Sequence, residues 1–87
     1  MIEKLITVKN KQGLHARPSA MLVTLASKFL SDIKIIKDDY EVDAKSIMGV
    51  MTLAAGPGTE LKIIFIGEDE TTACEAVEKI FNEGFNE

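Results

Sequence analysis

The chain has 87 residues, 46% hydrophobic and 28% charged, with a formal net charge of -4, which suits one small domain and leaves no room for a second core. Its single cysteine, Cys74, excludes an internal disulfide and a Cys-rich zinc site and suits a reducing, cytoplasmic setting. No apolar run is long enough to span a bilayer, and MIEKLITV alternates instead of forming a signal-peptide core, so no membrane insertion is expected.

Residues 2–8 read as a strand, with Ile2, Ile6 and Val8 at spacing two and Lys4 as an interruption. Gly13 marks a turn. From Ala16 the period changes: Leu22, Leu25, Ala26 and Phe29 fall at helical spacing, which predicts a helix running to Leu30. Pro18 fits that helix only in its first turn, where its missing N–H costs nothing, and this places His15 at or beside the N-cap. Residues 33–37 and 40–43 read as two strands joined by Asp38-Asp39. Ser46 reads as the N-cap of a short helix from Ile47 to Leu53, and Gly56-Pro57-Gly58 breaks the chain. Leu61 to Ile66 is a nearly continuous apolar run, as a central strand would be. Asp69 can cap a last helix whose core stripe is Ala73, Val77, Ile80 and Phe81, with Gly84 just past its end. The order β-α-β-β-α-β-α predicts one α+β domain over 1–87. Its sheet would be four-stranded and mainly antiparallel, with three helices on one face and the other face solvated around Lys34 and Lys62.

GLHARPSA, residues 13–20, holds the only histidine. A helix start exposes unpaired N–H groups and a partial positive charge, so it favours an anion. Here Ala16 and Arg17 supply free N–H groups, and Arg17 adds a guanidinium that can grip phosphoryl oxygens. Imidazole can act as a nucleophile and hold a covalent group. The combination suits a phosphorylated His15. The plainer alternative is a histidine that caps or packs, since N-caps are common and phosphohistidines rare. A metal site lacks ligands, and a hydrolytic triad lacks a nucleophile because Cys74 falls in a core stripe. The surroundings are basic: residues 1–37 carry seven cationic side chains against Glu3 and Asp32, whereas residues 68–87 carry seven acidic ones against Lys79. That favours an anionic ligand or acidic partner over nucleic acid, for which the chain lacks a basic helix or aromatic platform; the plainer alternative is that these charges are solvated faces with no steering role. Arg17, Ala20, Thr24 and Ser27 form a small or polar stripe opposite the Leu22/Phe29 face, where another protein could approach closely. An ordinary solvent-facing stripe would more typically carry Lys or Glu.

KSIMGVMTL, residues 45–53, is a short helix that is almost wholly apolar. Only one face of it can meet a core, so some of Ile47, Met48, Val50, Met51 and Leu53 must be exposed. Methionine adapts to several partners, and exposed apolar patches mark contact sites. The alternative is that Met48 and Met51 fold back onto the domain. A phosphate on Ser46 would suit the helix dipole and add nearly two negative charges to this patch. Plain capping is the simpler reading of that serine.

The two stretches together, at this separation, closely resemble the HPr family, histidine-containing phosphocarriers of the bacterial phosphoenolpyruvate:sugar phosphotransferase system. The resemblance covers essentially the whole chain. It implies an open-faced β-sandwich and a carrier, not an enzyme, with no cofactor. His15 Nδ1 would take a phosphoryl group from phosphorylated enzyme I and pass it to enzyme IIA components, assisted by Arg17. Partners would dock on Ala16, Ala20, Thr24, Ser27, Ile47, Met48 and Met51. Ser46 resembles a site modified by HPr kinase/phosphorylase, which slows the carrier and in some bacteria makes a corepressor for a catabolite-control transcription factor. A carrier that must leave each partner quickly is expected to be a monomer with small, transient interfaces. The presence of His15 argues against regulatory relatives that lack it, while AAGPGTEL at 54–61 and the acidic last helix leave a nitrogen-branch paralogue open.

Overall fold

A computed structural model of the protein describes all 87 residues. The strands are β1 (Ile2–Thr7), β2 (Asp32–Lys37), β3 (Tyr40–Asp43) and β4 (Glu60–Ile66); the helices are α1 (Ala16–Ala26), α2 (Ile47–Thr52) and α3 (Glu70–Asn82), followed by a turn over Gly84–Asn86. The strands form one sheet in the order β1-β4-β2-β3, and every neighbouring pair is antiparallel. The expected α+β open-faced sandwich is what the chain forms.

Side-chain alternation gives the sheet two unlike faces. Ile6, Leu61, Ile63, Phe65, Ile33, Ile35 and Val42 point inward and are buried. Register places them side by side: Ile63 faces Lys4 on β1 and Ile35 on β2, and Phe65 lies between Ile2 and Ile33. Against this layer pack Leu22 and Ala26 of α1, Val50 of α2, and Ala73, Val77 and Phe81 of α3. Lys4, the interruption in the first strand pattern, lies at the rim of this inner face, where its ammonium meets Glu78 of α3 at 3.7 Å. The outer face carries no helix. Leu5 opposite Lys62, and Lys34 opposite both Ile64 and Asp43, line it.

The first helix is shorter than its period suggests. It ends at Ala26, and Lys28 and Phe29 continue as tight turns whose N–H groups reach the carbonyls of Leu25 and Ala26. Phe29 keeps its place against the core although the α-helix has stopped. Asp69 occupies the N-cap of α3 but does not cap it. Its carboxylate accepts instead from the N–H groups of Leu30 and Ser31 and from the Ser31 hydroxyl, which ties the end of α1 to the start of α3. The hairpin turn at Asp38-Asp39 forms as expected, with Asp38 at φ 55°.

Candidate functional site

His15 is the N-cap of α1, with an extended backbone (φ -79°, ψ -169°), and its carbonyl accepts the first helical bond from Ser19 N–H at 3.0 Å. Its side chain caps nothing. The next two amides, of Ala16 and Arg17, therefore have no partner inside the helix and face solvent with their exposed residues. Pro18 fixes the first turn with its ring buried, and Ser19 Oγ donates to Leu14 O at 3.1 Å, so the helix start is clamped from beneath. Gly13 completes the clamp. Its carbonyl accepts from His15 N–H at 3.0 Å, and Leu14 N–H bonds Ala55 O at 2.8 Å across the facing loop.

The imidazole is held on one side only. Nε2 lies 3.0 Å from Glu87 Oε2 and 3.3 Å from Oε1, and Asn10 Nδ2 donates to the same carboxylate at 3.0 Å. Asn10 is buried and also donates to Gly13 O at 2.6 Å. Hydrogen bonds from Asn10 and His15, with the nearby charges of His15 and Arg17, hold the Glu87 carboxyl below the usual glutamate range against a smaller opposing effect of desolvation. A carboxylate only accepts, so Nε2 is the donor to Glu87, and Nδ1 is left without a hydrogen-bond partner.

Three surface grooves converge here. One, of about 440 Å³, is wholly polar and is lined by Lys11, Gln12, Arg17 and Glu87. The second, of about 370 Å³, joins His15 and Ala16 to Met51 of α2. The third, of about 450 Å³, runs along α1 past Arg17, Ala20 and Thr24 to Lys28, with Ile80 of α3 as its far wall. The small-residue stripe is thus exposed as expected, although Ser27 lies beyond the groove. No three of the His, Cys, Asp and Glu side chains gather where they could hold a metal ion. Cys74 is buried, and desolvation raises its thiol above the ordinary range.

The second stretch also folds as its pattern suggests. Ser46 Oγ accepts from Gly49 N–H at 3.1 Å and caps α2. Val50 and Leu53 are buried, while Ile47, Met48 and Met51 face outward, Met48 with 71% of its surface exposed. Gly49 sits close over Val42, so the helix lies low on the domain. Contacts between α1 and α2 bring this apolar patch alongside the histidine.

The family model for the PTS HPr component phosphorylation site matches residues 2–83. The chain belongs to the HPr family. Phosphocarrier protein HPr of Xylella fastidiosa is 51% identical over 87 residues, which span 100% of this chain and 98% of that protein. The crystal structure of HPr from Thermoanaerobacter tengcongensis is 46% identical and superposes with a TM-score of 0.96, covering 100% of this chain and 98% of that one. Crh of Bacillus subtilis, described as a catabolite repression protein that forms a domain-swapped dimer, is 44% identical with a TM-score of 0.77 and 97% coverage of both chains. As an HPr, the chain is a phosphocarrier of the phosphotransferase system.

Four residues around the histidine stand in no sequence motif: Asn10, Lys11, Gln12 and Glu87. Asn10 and Glu87 lie 77 positions apart and meet only in the fold. The acidic end of the chain was visible, but nothing local marks Glu87 from its neighbours.

Proposed function

We propose that His15 Nδ1 is the atom that carries the phosphoryl group, received from phosphorylated enzyme I and passed to enzyme IIA components in sugar uptake. The observation that carries this reading is the one-sided anchoring of the ring. With Nε2 engaged by Glu87, Nδ1 is the nitrogen left free, on the residue that caps the helix start whose first amides belong to Ala16 and Arg17. A phosphoryl group there would add about -1.5 to -2 charges, met by the helix start, the Arg17 guanidinium and the Lys11 ammonium. The carrier performs little covalent chemistry of its own; it positions the group and balances its charge. The groove past Arg17, Ala20 and Thr24, with Ile47, Met48 and Met51, forms the docking surface, and the exposed Ser27 beyond the groove extends it. The chain acts in the cytoplasm as a monomer.

Incubation with phosphoenolpyruvate, Mg²⁺ and enzyme I tests the reading. An acid-labile adduct that disappears in His15→Ala supports it, and undiminished labelling of that variant sinks it. Arg17→Ala should lower the labelling rate without preventing folding.

A second role is favoured by the position of Ser46, whose hydroxyl caps α2 at the edge of the apolar patch. Modification there by HPr kinase/phosphorylase would place charge on the docking surface, slow the carrier and create a surface for a catabolite-control transcription factor. Likeness to Crh supports this regulatory reading. An acid-stable adduct formed with ATP and lost in Ser46→Ala is the expected result. If the kinase leaves Ser46 unmodified, the hydroxyl is a cap only.

A further inference from the structure

The chain after α3 follows an unusual path for non-glycine residues. Phe85 and Asn86 adopt φ of 55° and 60°, in the left-handed region. Left-handed backbone is unfavourable for side-chain-bearing residues and persists only where surrounding structure imposes it. Phe85 supplies that hold: it is fully buried and packs edge-on against Phe81, with ring centroids 5.0 Å apart. The turn re-aims Glu87 at Asn10 and His15 instead of letting it continue along α3 into solvent.

The consequence for the ring follows from electron counting. Attack by the Nδ1 lone pair forms the nitrogen–phosphorus bond, and the bond from phosphorus to the donor breaks with its electron pair leaving on the donor. Because Nε2 already carries a proton, the ring then bears substituents on both nitrogens and a formal positive charge. That charge lies against the Glu87 carboxylate. Onward transfer from this form releases neutral imidazole. If the Nε2 proton were lost first, the leaving group would be imidazolate, a far poorer one.

We propose that Glu87 is a positioning residue that keeps the proton on Nε2 while His15 is phosphorylated, and so keeps the group ready for transfer. The proposal rests on the reading of His15 as the carrier. Glu87 makes the sole carboxylate contact with the ring. The other charged groups around it are Arg17 on α1 and Lys11 in the preceding loop, both cations, which oppose protonation. The phosphoryl oxygens favour it, equally in every variant.

The test is the pH at which phosphorylated His15 loses its Nε2 proton, read by ³¹P and ¹⁵N NMR. Phosphoramidate loads the histidine chemically, so the comparison stands apart from any failure of the enzyme I relay. Glu87→Ala and Glu87→Gln should each lower the proton affinity about tenfold, the effect of one neighbouring carboxylate. Return of the phosphoryl group to enzyme I should slow in both once the pH exceeds the variant midpoint. The glutamine variant keeps a hydrogen-bond acceptor without the charge. If its midpoint matches that of the unsubstituted protein, the proposal is overturned; phosphorylation at Nε2 in place of Nδ1 overturns it as well. Label absent from His15 in the enzyme I reaction, with the midpoints shifted as expected, would instead remove the carrier reading alone.

Discussion

Gly13→Ala puts the support of the histidine under direct strain. A Cβ at this position would stand 2.3 Å from Ala55 O and 2.8 Å from Gly56 Cα, both backbone atoms of the facing loop. Gly13 also has φ of +69°, where alanine costs roughly 1–2 kcal/mol. Relieving the contact means moving the loops apart by roughly 1 Å, which breaks the Leu14 N–H to Ala55 O bond between two buried residues. A buried polar pair left unmade costs about 1–3 kcal/mol. The sum is about 2–5 kcal/mol, a large part of the roughly 4–13 kcal/mol expected for a domain of this size. In a thermal melt the midpoint should fall by at least about 10 °C. Two neighbours separate the causes. Gly58→Ala meets open space at φ +85°, so it should show strain alone, about 1 kcal/mol. Gly56→Ala meets neither obstacle and should be neutral or stabilising by up to about 1 kcal/mol. A Gly13→Ala variant within about 0.5 kcal/mol of the unsubstituted protein would refute the clamp between these loops.

Ser46→Ala removes the bond from Gly49 N–H and should cost about 1 kcal/mol in urea unfolding, whereas Ser46→Asp keeps an acceptor and should cost much less. Leu22→Ala empties a fully buried site and should cost about 2–5 kcal/mol, with labelling of the folded protein unchanged. Asp69 gives the acid response a definite sign. Its carboxyl is held below the ordinary aspartate value of 3.8, first by the Ser31 hydroxyl and then by Leu30 N–H. A group depressed in the folded state contributes stability above its unfolded pKa, and that stability is lost as pH falls through the folded value. Urea midpoints should therefore decline as pH drops below about 4, and the decline should be shallower in Asp69→Asn.

What could be read from the sequence was whatever depends on near neighbours. The alternation of Ile6 and Val8, the stripe of Leu22 and Ala26, Pro18 in a first turn and Ser46 before an apolar run each report a local constraint, and each element formed where its pattern lay. The end of α1 could not be read in this way. The period continues to Phe29, but carbonyl and amide groups there are taken by partners far along the chain: Lys45 Nζ bonds Phe29 O, and Asp69 bonds Leu30 and Ser31. For the same reason Asp69 looked like a cap and is a clasp. The candidate site divides along the same line. His15, Arg17 and Ser46 stand in short motifs, while Asn10 and Glu87 act through contacts that exist only after α3 has packed.

The strand order has a consequence for how the chain is made. β1 emerges from the ribosome ahead of the other elements of this domain, and its only sheet partner is β4, with Ile2 opposite Phe65. At a synthesis rate of about 5–20 residues per second, β1 waits roughly 3–12 s for that partner. The β2–β3 hairpin closes locally in the meantime, but Ile2 and Ile6 have no sheet to enter until β4 has been added. Co-translational folding of this protein is therefore a late event, and the apolar first strand is the segment that holding chaperones would meet for longest.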